Sequence, residues 1–198
     1  MPSQEASARE SLRRKDLPMS YYAEHASEYI ASTIGTDMSY AYTMFEPLLP
    51  KGGSILDVGF GSGRDMLHFK SKGFDVHGID IEPKFVEHAQ PLGLNVEIGD
   101  VLRYSSDKKY DGIWACASLL HLPLKDVRPA IDHLLSFLHE DGVLFISMKE
   151  GSFEGIDDRG RPMLMVNEDI FKGYHVISLK KTLEAGRGLT WINVILRR

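Results

Sequence analysis

From Ser54 to Met148 the chain repeats one pattern, a short apolar run followed by a longer stretch that is apolar on one side only. Short runs bounded by glycine and proline read as strands, and one-sided 3.6-residue stripes read as helices. Their alternation predicts parallel strands with helices packed on the sheet. The runs are SILDV (54–58), FDVHGI (74–79), LNVEIG (94–99), YDGIWACA (110–117) and GVLFISM (142–148). The last is apolar on both faces, as a strand covered on both sides must be. A first helix is expected to open near Gly63 and stop at Gly73, and a second to open at Pro83 and close at Pro91 and Gly93. A third carries Val127, Ile131, Leu134, Leu135 and Leu138, with Pro129 expected in its first turn, where a missing N–H costs little. Beyond a glycine-rich, charged loop at 150–162 and a short helix at 167–173, YHVISLKKTL (174–183) and LTWINVILR (189–197) flank the turn-prone EAGRG. These two runs should pair antiparallel.

Upstream of this core, five of the eight tyrosines (Tyr21, Tyr22, Tyr29, Tyr40, Tyr42) fall in a helical stretch that Gly35 divides in two. Residues 1–18 are small, polar and charged, and are read as a loose tail. With 198 residues the chain suits one domain, spanning 19–198, with 19–49 as a helical cap and 50–198 as the α/β core. No apolar run approaches the ~18 residues of a membrane span. The net charge of −5 argues against a general nucleic-acid binder. A single cysteine, Cys116, excludes an internal disulfide framework and Cys-pair zinc sites, and the eight histidines show no metal-ligand spacing. The start lacks a signal peptide's apolar segment, so a reducing, cytoplasmic setting is expected.

The informative segment is Ile55-Leu56-Asp57-Val58-Gly59-Phe60-Gly61-Ser62-Gly63-Arg64-Asp65, with glycines at alternate positions between a strand and a helix. Such glycines let backbone turn sharply and approach a ligand without a Cβ between them. Twenty-one residues after Gly59 comes Asp80, at a strand end, where a carboxylate can accept both hydroxyl hydrogens of a ribose. A nucleoside-containing ligand is indicated. The dinucleotide fingerprint would need its third glycine at 64, where this chain has Arg64, so the spacing argues against NAD or FAD.

Taken together, ILDVGFGSGRD, GIDIEP, the GD at 99–100 and YDGIWACASLLHLP resemble the motifs of class I S-adenosylmethionine-dependent methyltransferases, over about Pro50 to Arg198. GSGRD, ACASLLHLP, the final strand and the short length are similar to those of bacterial small-molecule methyltransferases, including the tellurite-resistance-like ones. The resemblance implies a Rossmann-like, mostly parallel seven-stranded sheet in the order 3-2-1-4-5-7-6, with a reversed C-terminal strand. It implies S-adenosyl-L-methionine as cofactor and S-adenosyl-L-homocysteine as product. By motif, Gly59, Gly61 and Gly63 line the methionine part, Phe60 turns its side chain away from the cofactor, and Asp57 braces the loop or contacts the ammonium through water. Asp80 takes the ribose hydroxyls, Ile81 lies against the adenine, Asp100 accepts from the adenine amino group and the Val101 N–H reaches a ring nitrogen. Ala115 and Cys116 offer carbonyls to the ammonium, and Arg64 pairs with the cofactor carboxylate.

On the acceptor side His121, which follows the fourth strand, can orient or deprotonate a substrate, and Tyr21 or Tyr22 can close the pocket over a sulfonium. A histidine packed under a loop and tyrosines that are mere core are the plain structural readings of the same residues. Cys116 follows Ala115 rather than the proline of cytosine-5 methyltransferases, which favours a buried, inert thiol. ACAS stands where an Asp/Asn-Pro-Pro-Tyr/Phe stretch would mark methylation of base amines. The expected partner is therefore a small-molecule acceptor, for a monomer or homodimer, with neither membrane nor nucleic acid involved. Two alternatives are weighed. One is transfer to tRNA or protein, which a basic strip of Lys149, Arg159, Arg161 and Lys172 would mark; the other is a non-catalytic cofactor-binding scaffold or sensor.

Overall fold

The computed structural model describes residues 20–184, 186 and 188–198; the tail read at 1–18 lies outside the described residues. Strands β1 (Ser54–Val58), β2 (Asp75–Asp80), β3 (Asn95–Ile98), β4 (Tyr110–Cys116) and β5 (Leu138–Lys149) run parallel, and β9 (Leu189–Arg197) lies antiparallel between β5 and β8 (His175–Glu184). The seven form one sheet ordered β3-β2-β1-β4-β5-β9-β8. Chain numbering departs from the expected order at its end because 150–162 is not a plain loop. Phe153–Ile156 (β6) and Pro162–Met165 (β7) pair as a separate two-stranded ribbon, turning at Gly160 and burying Met163 and Leu164.

Alternation along the strands divides the core. On one face Leu56, Val58, Ile79, Ile113 and Ala115 meet α5 (Leu124–Ser136) and the inner side of the ribbon. On the other, Ile55, Trp114, Phe145 and Ile195 meet α1 (Ser20–Thr33), α2 (Ser39–Phe45), α3 (Arg64–Ser71) and α4 (Pro83–Ala89). The helical cap expected over 19–49 is therefore two things. Phe45 is fully buried, and the α2 end lies so close on β4 that a Cβ at Gly112 would come within 2.6 Å of its ring. An apolar stripe reveals that a helix is buried but not which surface it covers, and α2 belongs to the sheet's outer layer while α1 alone reaches the crevice.

Pro129 also departs from expectation. The helix opens at Leu124, directly after the extended Pro123, so Pro129 sits in its second turn. The segment 167–173 forms only a single tight turn, Glu168–Phe171. Among the described residues no helix is long and apolar enough to cross a membrane.

Candidate cofactor and acceptor site

Where β1 ends, Gly59, Gly61 and Gly63 all have φ between +53° and +75°, conformations that cost an L side chain about 1 kcal/mol or more. Space is equally restrictive: a Cβ on Gly59 would stand 2.6 Å from Ser118 Cβ, and one on Gly61 3.1 Å from the Tyr29 ring. The turn is tied to β2 by two bonds. Gly59 N–H donates to the Ile79 carbonyl at 2.7 Å, and Gly61 N–H to Asp80 Oδ2 at 2.9 Å. Asp80 Oδ1 accepts Glu82 N–H at 2.9 Å. Across the crevice, directly after β4, Ala117 holds φ +54° without being glycine and donates its N–H to the Ser147 carbonyl. Strain of this kind gathers at functional sites.

A cavity of about 440 Å³ opens between these strand ends, within the range of small-molecule sites. Gly59, Gly61, Asp80, Ile81, Asp100, Val101, Tyr22 and His121 line it. Asp57, Phe60, Gly63, Arg64, Ala115, Cys116 and Tyr21, expected at the site, are not among the residues that line it. Phe60 is buried against Met66 and Gly78, pointing away from the cavity. At the end of β4 the wall consists of Ala117 and Ser118, one and two residues past Cys116. Tyr21 stacks on His25 and lies under the Arg161 guanidinium.

Electrostatics behind the glycine turn are lopsided. Asp57, Asp65 and Asp80 are all buried, and the nearby cation Arg64 is committed to Asp65 through Nε at 2.7 Å and Nη2 at 2.8 Å. Asp65 also accepts from the Tyr42 hydroxyl and Trp114 Nε1. Among the described residues Asp57 Oδ2 has no hydrogen-bond partner, and neither does the Ser118 hydroxyl beside Gly59. Burial, with Asp65 close by, pushes Asp57 well above the usual carboxylate range, and burial lifts Asp80 to about 6 against its two backbone N–H bonds. The Cys116 thiol is pushed up by burial and Asp65, which makes it inert. An orphaned, buried carboxylate oxygen beside an excess of negative charge calls for a cation or a donor, and the adjoining glycines leave backbone bare for it.

The roof comes from three segments. Helix α1, kinked at His25, supplies Tyr22 and Tyr29, whose rings meet edge to face with centroids 5.1 Å apart, and Lys84 Nζ on α4 holds it through the Ala23 carbonyl. The turn after β4 supplies His121, and the ribbon supplies Glu154, Ile156 and Met163. Tyr22 OH and His121 Nε2 are 2.9 Å apart, and His121 Nδ1 is 2.7 Å from the Pro162 carbonyl. Tyr29, Glu82, Phe85 and Ser118 were not singled out from the sequence. The signal for Tyr29 was its place in the tyrosine-rich stretch 21–42.

The family profile described as a methyltransferase domain matches residues 55–142, the stretch holding β1 to β4, the glycine turn and His121. The fold is that of S-adenosylmethionine-dependent methyltransferases. A structure of 1,6-didemethyltoxoflavin-N1-methyltransferase from Burkholderia thailandensis, with 1,6-didemethyltoxoflavin and S-adenosylhomocysteine bound, superposes with TM-score 0.75 at 19% identity, covering 100% of this chain and 91% of that one. The N-methyltransferase NodS from Bradyrhizobium japonicum, in complex with S-adenosylhomocysteine, gives 0.68 at 14% identity over 90% and 98%. In sequence, an uncharacterised methyltransferase from Alkaliphilus oremlandii is 27% identical over 139 residues, 64% of each chain. A probable (S)-tetrahydroprotoberberine N-methyltransferase 2 from Papaver bracteatum is 34% identical over 104 residues, 48% of this chain and 28% of its own. The chain thus spans less than two thirds of the length of these curated relatives.

Proposed function

We propose that this chain is an S-adenosylmethionine-dependent methyltransferase acting on a small-molecule acceptor. The observation that carries the reading is the glycine turn packed against Asp80 with the orphaned Asp57 oxygen behind it: bare backbone, a carboxylate for a ribose and unbalanced negative charge for an ammonium. In this reading Gly59, Gly61 and Gly63 shape the methionine subsite, with Asp57 and the carbonyls of Ala115 and Cys116 toward its ammonium and Arg64 toward its carboxylate. Phe60 stiffens that turn from behind. Asp80 takes the ribose, and Ile81, Asp100 and Val101 surround the adenine. When bound, the cofactor supplies an activated methyl group on a sulfonium. The protein's part is alignment and exclusion of water, which can contribute ~7–11 kcal/mol. Tyr22, Tyr21 and His121 form the acceptor side, where aromatic rings favour the positive sulfur.

The roof supports a small acceptor over tRNA or protein, because α1 and the ribbon cover the cavity. Of the basic strip, Arg161 pairs with Asp157 and Lys172 with Asp169. GSGRD and ACASLLHLP support the tellurite-resistance-like branch, and the lone Cys116 a reducing compartment; the proposal includes a monomer or homodimer. Calorimetry with S-adenosylhomocysteine tests the cofactor half, with NAD failing to compete. Label transferred from methyl-labelled cofactor into a metabolite extract tests the acceptor half. A protein that binds cofactor yet labels nothing is the scaffold or sensor instead.

A further inference from the structure

Tyr22 and His121 lie 99 residues apart in the chain, and their polar atoms meet in the crevice wall. The direction of each bond follows from its partners. His121 Nδ1 is 2.7 Å from the Pro162 carbonyl oxygen, which can only accept, so Nδ1 carries the ring hydrogen. A neutral imidazole has one N–H, which leaves Nε2 as an acceptor, and the Tyr22 hydroxyl donates to it. Burial keeps the ring neutral by pushing His121 down to about 4, with the Arg161 charge working in the same sense. Tyr22 is therefore a hydroxyl whose hydrogen is already committed. Toward the crevice it offers oxygen lone pairs only. Arg161, held by Asp157 Oδ2 through Nε at 2.9 Å and Nη2 at 2.6 Å, also donates a hydrogen bond to that oxygen, and its charge and this bond oppose the rise in pKa that burial gives the phenol. Phe85, Leu119, Leu122, Ile156 and Met163 give this side of the cavity much apolar surface, with Glu154 of the ribbon as its acidic neighbour.

The geometry points to Tyr22 as the catalytic residue that touches the methyl acceptor, with His121 and Arg161 as positioning residues, and to an acceptor that is a neutral, mainly apolar weak acid bearing an N–H or O–H. This inference rests on the methyltransferase reading and deepens it. A donor hydrogen on the acceptor satisfies the lone pair of Tyr22 that Arg161 leaves, whereas a lone pair aimed there meets another lone pair and forfeits the bond. In the transfer step the acceptor's hydrogen passes to Tyr22 Oη while the hydrogen of Tyr22 passes to His121 Nε2. The acceptor's lone pair forms the bond to the methyl carbon, the pair from its broken N–H or O–H bond stays on the acceptor atom, and the old carbon–sulfur pair stays on sulfur. One positive charge disappears at sulfur and one arises on the imidazolium, so charge balances. A buried, weakly basic His121 suits acceptors whose methylated, still protonated form is strongly acidic, such as aromatic N–H groups and phenols. It does nothing for an alkylamine, which is already protonated in water.

Indazole and 1-methylindazole are matched probes that differ in the hydrogen at issue. With the full chain saturated in S-adenosylhomocysteine, calorimetry should show indazole binding about tenfold tighter, the worth of one hydrogen bond in an apolar wall. The preference should vanish in Tyr22→Phe, measured with the variant equally saturated in S-adenosylhomocysteine, because the ring that packs on Phe85 and Tyr29 remains while the hydroxyl is gone. Equal binding of the two probes, preference for 1-methylindazole, binding of neither at millimolar concentration, or a preference that survives Tyr22→Phe would overturn the inference. Nitrogen-15 NMR of wild-type protein gives an independent readout. His121 should carry its hydrogen on Nδ1 at pH 7 and stay neutral to below about pH 5, titrating higher in Tyr22→Phe; hydrogen on Nε2, or an imidazolium at pH 6, would overturn it. Failure of wild-type protein to bind S-adenosylhomocysteine strikes the broader reading instead.

Discussion

The floor and the roof of the crevice are built on different principles. The floor is backbone: three glycines in left-handed conformations, N–H groups fixed to Ile79 and Asp80, and strand ends held by a parallel ladder. The roof is side chain, with Tyr22, His121 and Pro162 meeting across separations of 99 and 41 residues. A backbone floor tolerates almost no change in shape, while a side-chain roof can be altered one group at a time. Cofactor affinity should therefore follow floor variants closely and ignore roof variants.

The largest expected effect is at Gly61. Gly61→Val places a branched side chain against Tyr29 at φ +53° and should abolish S-adenosylhomocysteine binding in calorimetry, while circular dichroism still shows a folded protein. Retained affinity would mean the turn is not a binding surface. Next is Asp80→Ala. It removes two charge-assisted hydrogen bonds of about 1.5–3 kcal/mol each and frees Gly61 N–H, so affinity should fall more than tenfold. Unchanged affinity in a folded variant would remove Asp80 from the ribose role.

A smaller effect sharpens the same point. With Asp80 lifted to about 6 by burial, its ionised form, the better acceptor for two hydroxyl hydrogens, is lost as pH falls through 6. Affinity for S-adenosylhomocysteine should drop about fourfold between pH 7.5 and 5.5, and Asp80→Asn should flatten the profile. The empty protein responds with the opposite sign. A buried carboxyl is better accommodated when protonated, so the contribution of Asp80 to stability is full below its ordinary value of 3.8 and is lost as pH rises through about 6. His121 works the other way, contributing above its ordinary 6.5 and losing that contribution as pH falls through about 4.

Floor and roof also differ in how far they can be read from residues alone. Glycine spacing, a strand before it and an acidic residue at the next strand end are local signals that pointed to the turn and Asp80, whereas Ile81, Asp100 and Val101 followed from the family resemblance; Gly59 and Gly61 of the turn line the cavity with all four, and Gly63 does not. The parallel core followed from alternation, and the antiparallel pair 174–183 and 189–197 from the turn between them. By contrast, the ribbon at β6 and β7 was hidden because EGSFEGIDDRGRP lacks strand periodicity: its order comes from Met163 and Leu164 burying against the core and from Asp157 capping its turn. Tyr42 and Phe45 looked like cap residues because their partners, His68, Phe69 and Trp114, come from α3 and β4. No local pattern announces that Tyr22 will donate to His121. That contact exists only once α1, the turn after β4 and the ribbon are stacked.

The smallest expected effect separates the two regions. Asp157 accepts the Arg159 and Arg161 N–H groups with Oδ1 and the Arg161 guanidinium with Oδ2. Burial pushes its pKa up, but the Arg161 bonds outweigh burial and keep it ionised. Asp157→Asn preserves the Oδ1 cap of the turn and weakens the guanidinium grip, a partly exposed charge-assisted bond worth about 1 kcal/mol. For a chain of 198 residues that corresponds to a melting point lower by about 2–4 °C. The loss should be local. Amide exchange should quicken at Gly155, Ile156 and Met163 in the ribbon and stay unchanged at Gly59 and Gly61, with S-adenosylhomocysteine affinity constant. If exchange at the glycine turn rises with that of the ribbon, floor and roof open as one unit and the division drawn between them is wrong.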